Sequence, residues 1–325
     1  MCGISGYTHR FGVIDPALIA EATYSLVHRG PDQQGTYQSE SVSLGAVRLK
    51  ILDLSSGGQP MVSEDGNLVL VYNGEIYNYR ELRRDLEERG HKFATHCDTE
   101  VLLRAFEQWD KDCFRRLRGM FAAALWNEKE KRLVLVRDRV GIKPLYFCRI
   151  GRDLHFASEL KSLFAHSGIP REIDGTALQY YLALNYVPTP YTLVKGIDKL
   201  LPGHVLEWKD GEIRLESYWK PKYETDHAWT AESAQEALDH LLTQSMREHM
   251  VADVPVGVWL SGGVDSSTIL HYARHEDVFD LLCRAEQEPL RARSGQSIRH
   301  RTLRIRPESQ PRSGGGGRAD VVLLR

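Results

Sequence analysis

Cys2 stands directly after Met1 and before Gly3-Ile4-Ser5-Gly6, where removal of one methionine leaves a residue bearing both a thiol and an α-amine. An α-amino group titrates near about 8 and a free thiol near about 8.5, so such a residue can supply a nucleophile and its own general base close to neutral pH. Further polar residues lie beside glycines or strand ends: His28-Arg29-Gly30-Pro31-Asp32, Arg48-Leu49, Tyr72-Asn73-Gly74-Glu75 and Asp98. One at a time they have ordinary explanations: a structural corner, a surface cation at Arg48, a hairpin turn at Asn73-Gly74 and a helix N-cap at Asp98. Together with Cys2 they are the parts of an amide-cleaving site. The thiol attacks, the Asn73 amide and the Gly74 N–H stabilise an oxyanion, and Arg48 and Asp98 pair with a carboxylate and an ammonium. The substrate so outlined is a free amino acid with a side-chain amide.

A second constellation is Ser261-Gly262-Gly263-Val264-Asp265-Ser266-Ser267 after the apolar run Val254 to Leu260. Small residues let a backbone approach an anion, and the helix expected from about Val264 offers the positive end of its dipole, a geometry that suits pyrophosphate. The alternative is an ordinary strand-to-helix turn capped by Ser or Asp. No Gly-Lys-Ser/Thr ends the loop, so it is not a Walker A sequence.

The elements that must position these residues follow from the hydrophobic pattern. Short apolar or alternating runs at Val42 to Leu49, Leu68 to Tyr72, Met120 to Trp126, Leu133 to Val136, Leu145 to Cys148 and Leu154 to Ala157 predict strands, separated by Gly, Asp and Asn turn signals. Two amphipathic helices are predicted, over 78–89 and from Asp98 to near Trp109. An α+β arrangement with helices layered on sheet follows. Prolines punctuate 170–225, with a helix around Ala177 to Leu184 and a hairpin over Val205 to Tyr218, and the domain boundary falls near 205–225. A long helix is expected over Ala231 to Met250, then the strand, glycine loop and helix that open a doubly wound α/β domain. From about Arg274 lysine disappears, arginine recurs and Ser313 to Arg318 is low in complexity. That tail reads as disordered or as translated from a shifted frame.

At 325 residues the chain has length for two domains. A net charge of −2 and 26% charged residues give no global basic field, which argues against a nucleic-acid partner. No apolar run reaches the roughly 18 residues of a membrane span, and no signal-peptide pattern opens the chain, so the cytoplasm is the expected compartment. The five cysteines are scattered and never in C-x-x-C spacing, which argues against a disulfide framework or a zinc site, and no metal ligands are assigned.

The order Met1-Cys2-Gly3-Ile4, His28 to Asp32, Arg48-Leu49, Tyr72 to Asn78, Asp98-Thr99-Glu100 and Arg137-Asp138-Arg139-Val140-Gly141-Ile142-Lys143-Pro144-Leu145-Tyr146 resembles a class II glutamine amidotransferase domain. With Ser261 to Ser267 behind it, the chain resembles glutamine-hydrolysing asparagine synthetase over about residues 2–273. That resemblance implies a four-layer αββα N-terminal-nucleophile sandwich over 2–210. It also implies the start of an α/β ATP-pyrophosphatase domain, of the adenine nucleotide alpha hydrolase type, over 225–273, with the atypical tail at 274–325. It implies Cys2 as nucleophile, Asn73 and Gly74 as oxyanion donors, and Arg48, Leu49, Asn73, Glu75 and Asp98 around glutamine. Ser261, Gly262, Gly263, Asp265 and Ser266 would hold the pyrophosphate of ATP, with Mg2+ offsetting its charge. Aspartate is the family's acceptor, and members often form homodimers. The chain departs from the family pattern at Ala46, Cys97 and Trp259, and nothing in 274–325 continues the synthetase domain, which reads as incomplete. A related amidotransferase with another acceptor, or a catalytically silent fragment, are the alternatives.

Overall fold

Two antiparallel six-stranded sheets and their helices form the first of two units, Met1–Tyr223, in a computed structural model that describes residues 1–9, 15–224, 228–261, 263–273, 279–283 and 322–323. In chain order the elements are β1 (Gly3–Thr8), α1 (Pro16–Tyr24), β2 (Gln33–Gln38), β3 (Val42–Arg48), β4 (Met61–Val62), β5 (Leu68–Ile76), α2 (Tyr79–Glu88) and α3 (Asp98–Trp109). They continue with α4 (Cys113–Arg116), β6 (Gly119–Asn127), β7 (Arg132–Arg137), β8 (Tyr146–Ile150), β9 (Asp153–Ala157) and α5 (Leu160–Leu163). The unit closes with α6 (Gly175–Leu184), β10 (Ile197–Lys199), β11 (His204–Lys209) and β12 (Glu212–Ser217). One sheet has the order β10-β8-β9-β1-β3-β2 and the other β12-β11-β7-β6-β5-β4. Because β11 pairs with β7, the hairpin belongs to the second sheet and carries the first unit past residue 210 to Tyr223.

Strand periodicity decides which side chains meet between the sheets. Ile4, Val42, Leu44 and Ala46 from the first sheet share one buried cluster with Val69, Val71, Ala122, Ala124, Trp126, Leu133 and Leu135 from the second. The opposite faces carry helices: α1 on β1, β2 and β3, and α3 on β4 and β5 with α2 packed against it. The layers are therefore αββα, as the sequence resemblance implies. Asp15 starts α1 by accepting from the N–H groups of Ala17 (3.0 Å) and Leu18 (3.1 Å), with Pro16 at the first helical position.

Extending the same parity to the strand ends places the candidate residues. Cys2 continues the inward face of Ile4, Arg48 that of Ala46, and Asn73 and Glu75 that of Val71. The β1–β3 register sets Gly3 opposite Val47, which brings Cys2 level with Arg48. The space between the sheets thus ends, on one side, in a group of polar side chains.

The second unit, Glu224–Arg325, contains α7 (Ala231–His249), β13 (Val256–Leu260), α8 (Val264–Ala273), β14 (Phe279–Cys283) and β15 (Val322–Leu323). The three strands are parallel in the order β14-β13-β15. A Thr230/Ser233 capping box opens α7. Among the described residues no helix is long and apolar enough to cross a membrane.

Candidate active site

The Cys2 thiol sits against the backbone of Leu49, whose N–H donates to Sγ at 3.4 Å while the thiol reaches the Leu49 carbonyl at 3.7 Å. Arg29, in the 3-10 turn Val27–Arg29, donates from Nε to the Cys2 carbonyl at 2.9 Å and from a terminal nitrogen to Glu159 at 2.8 Å. The corner expected at His28 to Asp32 is therefore a brace for the Cys2 backbone. Burial pushes the Cys2 thiol up; the Leu49 N–H, the terminal ammonium and Arg48 act the other way. Burial pushes the chain's α-amine down, and Lys143 and Arg29 add to that.

Three of the four ordinary explanations fail for physical reasons. Arg48 is buried, not a surface cation, and donates to the carbonyls of Ser56 (2.5 Å), Leu52 (2.8 Å) and Asp53 (3.0 Å). Asn73-Gly74 is no turn, because β5 runs on to Ile76 and pairs with β6 throughout. Asp98 is the first residue inside α3, whose N-cap is Cys97, and its carboxylate accepts from the Tyr72 hydroxyl (2.8 Å) and the Ile76 N–H (2.9 Å). Burial pushes that carboxyl up, and these donors act against the shift.

The edge of β5 sets how the Asn73 side chain and the Gly74 N–H are presented. Phe121, opposite Gly74, gives both its N–H and its carbonyl to Asp138, so Gly74 faces it without ladder bonds and turns its own N–H to the other edge. There β4 covers only Val69 and Leu70. On that edge the Tyr72 N–H meets Gln59 Oε1 at 2.7 Å and the Ile76 N–H meets Asp98, leaving the Gly74 N–H between them without a partner among the described residues. A Cβ at Gly74 would lie 2.3 Å from the Met120 carbonyl, so the strand tolerates only glycine there. The neighbouring Asn73 side chain is fully buried, and among the described residues neither its oxygen nor its nitrogen has a hydrogen-bond partner. Buried amides without partners are costly and uncommon in native structures.

Lys143 was not assigned a role from sequence. The motif Arg137 to Tyr146 carried its signal. Asp138 is buried and accepts from the N–H groups of Phe121 (3.1 Å), Val140 (3.2 Å), Ile142 (2.9 Å) and Lys143 (2.9 Å). Arg137 donates to the carbonyls of Gly141, Lys143 and Leu200, each at 2.7 Å. This folded loop delivers the buried Lys143 to the neighbourhood of Glu75 and Cys2.

Glu75 is pushed up to about 7, chiefly by burial and then by Asp98, with Lys143 and the terminal ammonium opposing. Its linkage to stability has a definite sign. Between the unfolded value of 4.5 and about 7 the folded chain holds a proton the unfolded chain has released, so this group's contribution falls as pH rises through that window. Glu75→Gln is expected to gain stability over the wild type at pH 8 but not at pH 4, by on the order of 3 kcal/mol at most. Urea unfolding at both pH values checks it, and an equal effect at both would contradict the raised carboxyl.

In the second unit Ser261 Oγ and Ser266 Oγ lie 3.0 Å apart, the Gly263 N–H points at Ser261 Oγ (3.4 Å), and Asp265 lies in the first turn of α8. Gly262 lies outside the described residues, as does most of the 274–325 tail. Exposed hydroxyls and an N–H at a helix start fit an anion.

An αββα sandwich with a near-terminal thiol at one end of the inter-sheet space has the architecture of the N-terminal-nucleophile hydrolase fold. The profile of the glutamine amidotransferase domain family matches residues 1–219, and the chain belongs to that family. The asparagine synthase profile matches residues 237–295. Asparagine synthetase [glutamine-hydrolyzing] 1 of Bacillus subtilis is 41% identical over 280 residues, which cover 84% of this chain and 44% of that protein. A putative asparagine synthetase [glutamine-hydrolyzing] 2 of Methanocaldococcus jannaschii is 36% identical over 84% of this chain and 57% of its own length. The chain thus spans about half the length of these relatives. The B. subtilis glutamine phosphoribosylpyrophosphate amidotransferase, solved with ADP and GMP, shares the fold at a TM-score of 0.50 and 18% identity, covering 86% of this chain and 66% of its own.

Proposed function

We propose that this chain hydrolyses the side-chain amide of glutamine to glutamate and ammonia. The observation that carries the reading is the buried, unpartnered Asn73 amide beside the unclaimed Gly74 N–H, at the Cys2 end of the inter-sheet space. Met1 is 44% exposed, within reach of an aminopeptidase, and its removal moves the α-amine onto Cys2. That amine takes the thiol proton, Sγ attacks the amide carbon, and Asn73 Nδ2 and the Gly74 N–H receive the oxyanion. The C–N bond breaks as the proton passes to the leaving nitrogen, leaving a glutamyl thioester that water opens to glutamate and free thiol. Arg48 holds the glutamine carboxylate through the N–H groups its carbonyl partners leave over. Asp98 and Glu75 take the ammonium, and Leu49 fixes the thiol.

The relatives' names and the asparagine synthase match support aspartate as ammonia acceptor and ATP as its activator. Ser261, Gly262, Gly263, Asp265 and Ser266 would hold the ATP pyrophosphate, which Mg2+ neutralises. The same reading places the protein in the cytoplasm, with homodimers as its assembly. Incubated with glutamine, the purified chain is expected to release glutamate, and no glutamate would overturn the glutaminase reading; asparagine formed once aspartate, ATP and Mg2+ are added would support aspartate as the acceptor.

A further inference from the structure

The carbonyls that hold the Arg48 guanidinium all come from one short stretch, at Leu52, Asp53 and Ser56. A loop can hold a cation in this way only while its own conformation is fixed, because its carbonyls point wherever the backbone turns them. Asp53 fixes it. Its backbone is left-handed (φ +52°), a region that a non-glycine residue adopts at a cost, and its buried carboxylate folds back on the loop. Oδ1 accepts from the Ser56 N–H at 2.9 Å and the Ser55 hydroxyl at 3.3 Å, while Oδ2 accepts from the Ser56 hydroxyl. The loop is closed on itself in the turn that aims its carbonyls at Arg48.

The same carboxylate reaches a second element. Oδ2 also accepts from the His96 N–H at 2.8 Å, just before Cys97 caps α3 and Asp98 opens it. Glu100 secures the other side of that segment by accepting from the N–H groups of Ala94 (3.0 Å) and Thr95 (2.7 Å). At Gly57 (φ +72°) a Cβ would lie 2.9 Å from Cys97 Sγ and 3.1 Å from Arg48 Nη2, so the loop lies close against both Arg48 and the cap of α3. Burial acts to raise the Asp53 carboxyl, but the Ser56, His96 and Ser55 donors outweigh it and hold the group well below the usual carboxylate range, so it stays ionised near neutral pH.

We propose that Asp53 is a positioning residue for amino-acid recognition, a clip that holds Arg48 and Asp98 at the separation at which a carboxylate and an ammonium on one α-carbon are read together. The inference rests on the glutaminase reading, in which these two side chains take those two groups. Asp53 acts through Arg48 and the head of α3. The Cys2 thiol is anchored separately at Leu49, and the Gly74 N–H lies on the edge of β5, so loosening the clip weakens the grip on the α-carbon end of the substrate and leaves the groups that meet the scissile amide in place.

Steady-state glutamate release tests this, because losing binding that is common to the ground and transition states raises KM and spares kcat. Asp53→Asn keeps the shape but puts an NH2 group where one oxygen now accepts, so it turns a donor toward a donor. It is expected to raise KM for glutamine by about 10- to 100-fold, with kcat within about threefold of the wild type. Ser56→Ala removes one donor to Asp53 and leaves the Ser56 carbonyl to Arg48; it is expected to raise KM by about two- to tenfold. Alkylation of Cys2 by iodoacetamide, which has neither an α-carboxylate nor an α-ammonium, followed at the Cys2 peptide by mass spectrometry, is expected to keep its wild-type rate in both variants. An unchanged KM would overturn the proposal, and so would a fall in kcat accompanied by an altered alkylation rate, which would mean a purely structural role. Should Asp53→Asn not fold, Ser56→Ala decides on the same terms. A wild-type protein that releases no glutamate would sink the glutaminase reading instead, whereas Cys2-dependent release with an unmoved KM in the variants sinks only the clip.

Discussion

Cys2→Ala protein is expected to fold like the wild type and to release glutamate from glutamine at least about 10⁴-fold more slowly, because the covalent route is lost outright. The thiol makes few bonds that the fold needs. Its partner is the backbone of a single residue, Leu49, and the Cys2 carbonyl that anchors Arg29 survives the substitution. Folding and catalysis therefore separate at this position. An N-terminal extension that blocks removal of Met1 is expected to be nearly as damaging with the thiol intact, since the nitrogen of Cys2 then remains an amide and cannot accept a proton. The pair of results distinguishes a terminal nucleophile from an internal cysteine activated by a side chain: an extended protein with full activity would show that the base lies elsewhere. Glutamate release is the measurement, with thermal unfolding as the control for structure, and an active Cys2→Ala protein would remove the nucleophile from the scheme.

The sequence disclosed some of these elements and hid others for reasons that residues make plain. Strands β3, β6, β7 and β9 were legible because their apolar runs are continuous and bounded by turn formers. The strand that directly follows Cys2, β1, was not predicted. Its Gly-Ile-Ser-Gly-Tyr-Thr sequence lacks alternation because the fold needs closeness there: a Cβ on Gly6 would lie 2.6 Å from the Phe156 ring. Asn73-Gly74 looked like a turn for a related reason, glycine being a usual mark of chain reversal when it here permits the close approach of two strands. Asp98 looked like a cap because it heads a helix, and only the tertiary packing of β5 under α3 reveals that its carboxylate serves Tyr72 and Ile76. The candidate residues themselves were recoverable from motif order. Which bonds each one makes was not, since Cys2 meets Leu49, and Asp98 meets Tyr72 and Ile76, through sheet register and packing over long sequence separations. Lys143 illustrates the limit: its burial and its relation to Glu75 depend on the conformation that Asp138 imposes on residues 140–143.

Asn73→Ala is expected to lower kcat by about 10²- to 10³-fold while changing KM much less, the signature of a donor that meets charge developing in the transition state more than the ground-state substrate. The same substitution is expected to leave the protein as stable as the wild type or more so. Asn73 is fully buried with both side-chain atoms unpartnered, and removing such a group relieves a desolvation cost of about 1–3 kcal/mol, against which stands the small cavity that alanine leaves. Most buried polar residues behave in the opposite way, losing stability and activity together when truncated. A fall in kcat without a fall in unfolding midpoint would therefore identify the amide as one kept for catalysis at the expense of the fold. Asn73→Asp sharpens the distinction, because a carboxylate of similar shape offers no donor and repels the oxyanion; it should be at least as slow as the alanine variant. Steady-state glutamate release and urea unfolding on the three proteins supply the comparison. An alanine variant with wild-type kcat would leave the orphaned amide as a packing imperfection and reduce the oxyanion site to the Gly74 N–H alone.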